Sequence, residues 1–232
     1  MADRVRPVVL AREHTLPLAA SLTQLFPDGV LRRGITITVD GPGAASVALT
    51  LAAAPVHTGS WVAFVDLPEL NLAAAAEAGV VLERVACIRS GGQWSATVAA
   101  LLGAFDLVIV GMGRRVRAGD VRRLGARARE RGSVLVALRG VCGAAVWPDA
   151  PDVTLTTGAS QWSGLGAGHG HLRARMLTVR AEGRRGFSRP CRIDLVLPAE
   201  AQPEEQPALV SVAPVRTPPA PVVAVPVIAR AG

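Results

Sequence analysis

The chain alternates two apolar textures. Short runs rich in β-branched residues, five or six long, are separated by stretches of small residues with helical spacing. The pattern predicts a helix at 16–25, a turn at Pro27-Asp28-Gly29 and a first strand at 34–39. A helix at 44–54 and a second strand at 61–66 (Trp-Val-Ala-Phe-Val-Asp) follow. Asn71 is placed to cap a helix through Ala78, with Gly79 as a left-handed stop. A short strand at 85–88 precedes a helix that starts at Ser95 and ends by Gly103. Phe105-Asp106-Leu107-Val108-Ile109-Val110 and 133–138 read as strands buried on both faces. Between them Asp120 opens a helix whose apolar stripe is Val121, Leu124 and Ala128, closed by Gly132. Strands and helices alternating at this spacing give an α/β fold with a mostly parallel sheet covered on both faces.

After Cys142 the texture changes. A short strand is expected at 153–156, then a glycine-rich stretch at 158–170 around Trp162. Residues 173–180 and 192–197 alternate polar and apolar positions about a turn at 182–186, which predicts an antiparallel hairpin at the sheet edge. Residues 198–232 hold eight of the 17 prolines and few charges, and are expected to be disordered. Two apolar patches in that tail, 208–212 and 222–229, fit a strand-adding or groove-docking peptide. The organisation expected is a helical segment at 1–27, a core at 28–197 and a Pro-rich tail at 198–232.

Composition adds charge placement to this picture. All 25 basic residues are arginine and the net charge is +7. Residues 114–131 carry eight arginines against Asp120 and Glu130; residues 173–192 carry seven against Glu182. Concentrated positive charge points to a polyanion or an acidic protein as partner, and a solvated helix face explains it as well. Arg114, Arg115, Arg122, Arg123, Arg127, Arg184 and Arg185, with Trp162, are the candidate contacts. Cys87, Cys142 and Cys191 form no CxxC pair and read as free thiols of a reducing cytoplasm. No apolar run reaches membrane-spanning length, so no membrane partner is expected.

The candidate chemistry lies at Asp40-Gly41-Pro42-Gly43, a strand running through a Gly-Pro turn into a small-residue helix. That is the layout of a phosphate-binding loop, which needs Gly, Lys and a hydroxyl at its end. Counted from Gly41, those places hold Ser46, Val47 and Ala48. Valine balances no phosphate charge and alanine holds no magnesium. The later strand 107–110 ends in Gly111, where such a site needs an aspartate for magnesium. Absence at separate places predicts no catalysis, no cofactor and no metal.

Gly29, Arg33-Gly34, Gly41-Pro42, Phe64-Val65-Asp66 and Phe105-Asp106-Leu107-Val108-Ile109-Val110 occur in the order and spacing of the RecA core, and the chain resembles the RecA family over residues 22–197. Within it the chain looks like the ImuA-type accessory proteins of damage-induced mutagenesis, in the form carried by GC-rich actinobacteria. Trp147-Pro148, Trp162-Ser163-Gly164-Leu165-Gly166 and the arginine hairpin add to the likeness. The resemblance implies a RecA-like fold with a decayed nucleotide site. It implies a non-catalytic adaptor of the SOS response, working with an ImuB-like inactive relative of Y-family polymerases. The resemblance further implies an indirect link, through that partner, to an error-prone polymerase and the sliding clamp in translesion synthesis. Self-association or contact with RecA is left open by the likeness.

Other readings use the same residues. Gly41-Pro42-Gly43-Ala44-Ala45-Ser46 nearly matches G-x-G-x-x-G, with Asp66 at the interval for a ribose contact, as in a dinucleotide- or S-adenosylmethionine-binding enzyme. Ser46 replaces its third glycine, and no residues downstream suggest hydride or methyl transfer. Weak single-stranded DNA binding by the arginine segments with Trp162 as a platform is a third reading; Trp162 packing in the core competes with it. His169 and His171 lack further metal ligands nearby, Gln24-Leu25-Phe26 lacks the spacing of a clamp-binding peptide, and Cys142 has no histidine partner.

Overall fold

A computed structural model of the chain describes residues 14–113, 115–139, 147–165, 170–184, 186–198 and 210–211. A nine-stranded sheet runs through the molecule. Its parallel part is β3 (Thr36–Asp40), β4 (Val62–Val65), β5 (Val85–Ile88), β6 (Leu107–Gly111), β7 (Val134–Leu138) and the start of β8 (Val153–Leu165). Its antiparallel part adds β9 (Gly170–Gly183), β10 (Cys191–Leu197) and the two-residue β11 (Val210–Ser211). The strand order is β10-β9-β8-β3-β7-β6-β4-β5, with β11 also on β8. Outside this sheet, β1 (Thr15–Leu16) and β2 (Leu31–Arg32) form a small antiparallel pair.

The central strands are buried along their whole length, which explains their unbroken apolar runs. Helix α1 (Ala44–His57) and α2 (Leu72–Glu77) cover one face together with the N-terminal segment. Helix α3 (Trp94–Leu101) and α4 (Ala118–Arg131) cover the other. Asn71 caps α2 by accepting from the amides of Ala73 and Ala74, and Gly132 ends α4 in the left-handed region. At the N-terminal edge of the sheet Asp106 joins three segments. It pairs with Arg33 at 2.7 Å and accepts the Trp61 amide at 3.0 Å. Arg33 also reaches the Gly132 carbonyl.

The expected fold class holds: the sheet is mostly parallel, helices flank it, and the hairpin β9–β10 lies at its edge. Three expectations are corrected. Residues 16–25 form no α-helix. Pro17 holds Leu16 extended in β1, and only a 3-10 turn at Ala20–Leu25 follows. Strand β8 runs thirteen residues, not four, because β9 supplies a partner past the end of β3. Trp162 therefore sits in a strand rather than in a glycine loop. Helix α1 also continues past Ala54, taking Pro55 into its last turn. Most of the Pro-rich tail lies outside the described residues; within it, Val210 and Ser211 pair with Trp162 and Gln161 as an added strand.

Candidate functional site

The loops after β3, β4 and β6 open on the carboxyl edge of the parallel strands, where α/β sheets bind ligands. After β3 the connection is three residues long, Gly41 to Gly43, before α1 begins at Ala44. Both glycines adopt left-handed backbone, with φ of 102° and 91°. A phosphate cradle needs successive amides facing one concavity. Here Ala44 donates to the Gly41 carbonyl at 3.2 Å and Val47 donates to Gly43 at 3.2 Å. The stretch that lines the phosphates in a working loop is wound into helix. Val47 is fully buried, Ala48 nearly so, and Ser46 is half-buried. The lysine position thus faces the core of the protein, not the loop.

Two residues of the antiparallel part of the sheet stand against the loop glycines. A methyl group on Gly41 would lie 2.5 Å from the Thr157 carbonyl, and one on Gly43 would lie 2.9 Å from the Arg175 guanidinium. Thr157 Oγ1 donates to the Asp40 carbonyl at 3.0 Å. Arg175 donates from Nε to Ser160 Oγ at 2.8 Å and from Nη2 to the Pro42 carbonyl at 3.4 Å. Its guanidinium stacks 5.2 Å from the Trp162 ring, and burial lowers its pKa from the ordinary arginine value. A cation therefore stands beside the loop, but it belongs to β9 and is bonded to the fold. Neither Arg175 nor Thr157 is marked by any local motif; their role depends on the register of β8 against β9 and β3. Beside the loop, Arg139 pairs with Asp40 at 3.4 Å.

The other loop positions are as distinctive. Gly111 ends β6 buried, and the next amide, Met112, bonds to Leu138. It borders a mainly apolar cavity of about 660 Å³ with Phe64, Leu67, Leu70 and Cys87. Asp66 has φ 52°, and its carboxylate accepts from the Ser90 amide at 2.8 Å and from the Ser90 hydroxyl. Its own amide bonds to Ile88. The carboxylate that a dinucleotide site would aim at ribose here ties the β4 turn to the β5 turn.

The candidate arginines fall on separate surfaces. Arg115, Arg123 and Arg127 line a groove between α3 and α4, and Arg123 pairs with Asp120 at 2.5 Å. Arg122 lies in a different cleft, shared with Arg129 and Arg184 and with Asp149 and Asp152. Arg184 donates there to the Ala150 carbonyl. Trp162 belongs to neither. Val153 pairs with Gly183 beside Arg184, and Trp162 is nine residues further along β8, roughly 30 Å away at strand rise. Among the described residues, that second cleft is where the structure brings helix arginines, Arg122 and Arg129, together with a hairpin arginine, Arg184. Arg114, Arg185, Cys142 and His169 lie outside the described residues. His171 is exposed, and Leu25 and Phe26 are core residues, Phe26 stacking edge-on against Phe187 at 5.5 Å. Among the described residues no helix is long and apolar enough to cross a membrane.

Known proteins resemble the chain at three levels. A family model described as the MT3502 N-terminal domain matches residues 24–148. The Mycobacterium tuberculosis protein Rv3395c is 39% identical over 100 residues, covering 42% of this chain and 49% of that protein. The match thus spans about half the length of that relative. The RadB recombinase has a similar fold, with a TM-score of 0.52 over 75% of this chain and 92% of that one at 16% identity. The architecture is therefore RecA-like.

Proposed function

The chain belongs to the MT3502 N-terminal domain family, and on that premise we propose that it is a non-catalytic RecA-like adaptor. In this reading the nucleotide scaffold is kept and the nucleotide is not. The observation that carries it is the closed loop: three residues long, its lysine position turned into the core at Val47, its mouth taken by Thr157 and Arg175. The proposed setting is the SOS-induced mutasome. The chain would hold an ImuB-like inactive polymerase relative and, through it, serve an error-prone polymerase and the sliding clamp during translesion synthesis. Arginine surfaces separated on one rigid sheet suit a scaffold that holds partners apart. Nothing in the geometry favours a dinucleotide- or S-adenosylmethionine-binding enzyme.

Calorimetric titration of the purified chain with magnesium and ATP tests the closed loop, and no heat of binding is expected. Saturable binding, or a thermal stabilisation by nucleotide that grows with its concentration, would overturn this reading. Co-expression with an ImuB-like protein tests the partner; the two are expected to purify together.

A further inference from the structure

We propose that the groove between α3 and α4 is a docking site for an acidic, amphipathic segment of a protein partner. The groove encloses about 950 Å³. Its rims carry Arg115, Arg117, Arg123 and Arg127 against Asp120 and Glu130. Arg123 is neutralised by Asp120, whereas Arg115, Arg117 and Arg127 form no ion pair among the described residues. Apolar side chains, among them Ala96, Ala99 and Leu124, line the same groove. The N-terminus of α3 opens here too. Gln93 caps it with no side-chain hydrogen bond, and no acid occupies its first turn.

Two donors in the lining lack partners. Trp94 lines the groove at 4% exposure, and its indole N–H has no acceptor. Arg127 Nε, in the same lining, has none either. Buried donors without acceptors are uncommon and cost free energy. Both atoms are shut off from solvent, so a segment bearing carboxylates and carbonyls reaches them only as the lining side chains shift around it. From Arg117 to Glu130 the groove follows α4 for thirteen residues, about 20 Å at helical rise. That length fits about thirteen residues of helix or six of extended chain.

Nucleic acid fits less well. Single strands need exposed aromatic platforms, and Trp94, an aromatic residue of the lining, is buried. Asp120 and Glu130 would meet phosphates with like charge. The inference rests on the adaptor reading only for the existence of a protein partner.

The test uses the full chain and a fluorescein-labelled helical peptide with Glu and Asp on one face and Leu on the other, followed by anisotropy at low and high salt. Binding is expected, weaker at high salt. Combined Arg115→Glu, Arg117→Glu and Arg127→Glu should weaken it about tenfold or more. Ala96→Trp, at an exposed position, fills the groove without changing charge and should do the same. Arg122→Glu, in the other cleft, should leave binding unchanged. No binding at low salt, or equal loss with Arg122→Glu, overturns the proposal. So does an oligo-dT strand that binds where the peptide does not. ATP binding would sink the adaptor reading and leave this groove standing; peptide failure alone does the reverse.

Discussion

Val47 stands where a phosphate loop carries lysine, and it is completely buried against the sheet. Val47→Lys therefore restores the lysine of the motif but neither its glycine at Ser46 nor its hydroxyl at Ala48. Burying an ammonium there should cost about 3 kcal/mol or more, read as a lower denaturant midpoint, with no gain in ATP affinity. Asp106 is the other residue whose loss should show. Its carboxylate serves both Arg33 and the Trp61 amide in a partly buried setting. Asp106→Ala should destabilise the fold by about 2–4 kcal/mol. A loss under about 0.5 kcal/mol in urea unfolding would show that this pin bears no strain. Cys87 gives a chemical reading of its own. The residue is exposed, but partial burial raises its thiol pKa above the ordinary value, so less of it is thiolate at neutral pH. Iodoacetamide should modify it more slowly than a cysteine in the urea-unfolded chain at neutral pH, and the gap should narrow as pH rises through the thiol range. The places of Ser46, Val47, Ala48 and Gly111 in the fold were legible because each is fixed by a local count from a strand. Arg175 was not, because it reaches Pro42 across 133 residues and nothing near it in sequence announces the contact.

At the scale of elements, the buried parallel strands were legible because continuous apolar runs between turn signals leave few alternatives. The errors share one cause: tertiary partners decide where marginal segments go. Residues 157–165, with Gly158 and Gly164 among them, look like loop by composition, yet β9 gives their backbone groups a ladder. Residues 16–25 look helical by composition, yet Pro17 and the β1–β2 pair hold their start extended. The β8 extension also depends on one side chain more than most strands do, since Arg175 bonds Ser160 and stacks on Trp162. Arg175→Ala should speed amide hydrogen exchange across residues 160–163, while β3, β6 and β7 keep their protection. Uniform loss of protection, or none, would show that the extension is held some other way. Asn71→Ala, by removing the cap of α2, should cost about 1 kcal/mol and loosen that helix alone.

The whole molecule has two apolar layers that share one sheet. A shared sheet couples the layers, so heat should unfold the chain in a single transition. Its described core begins at Leu16 and ends at Leu195. Removing residues 199–232 should therefore move the midpoint by only a few degrees; a separate or much lower transition would assign the tail a structural role. The three-residue turn between β3 and α1 has a further consequence. In this shape of the turn the two glycines lie against a threonine carbonyl and a bonded guanidinium, with no room for a side chain at either position. Molecular switches mark time by alternating between two such shapes as fuel is spent. In the adaptor reading proposed above no fuel is spent at this turn, and the duration of any assembly built on this chain is then set from outside, by how much of the protein is made and how soon it is destroyed.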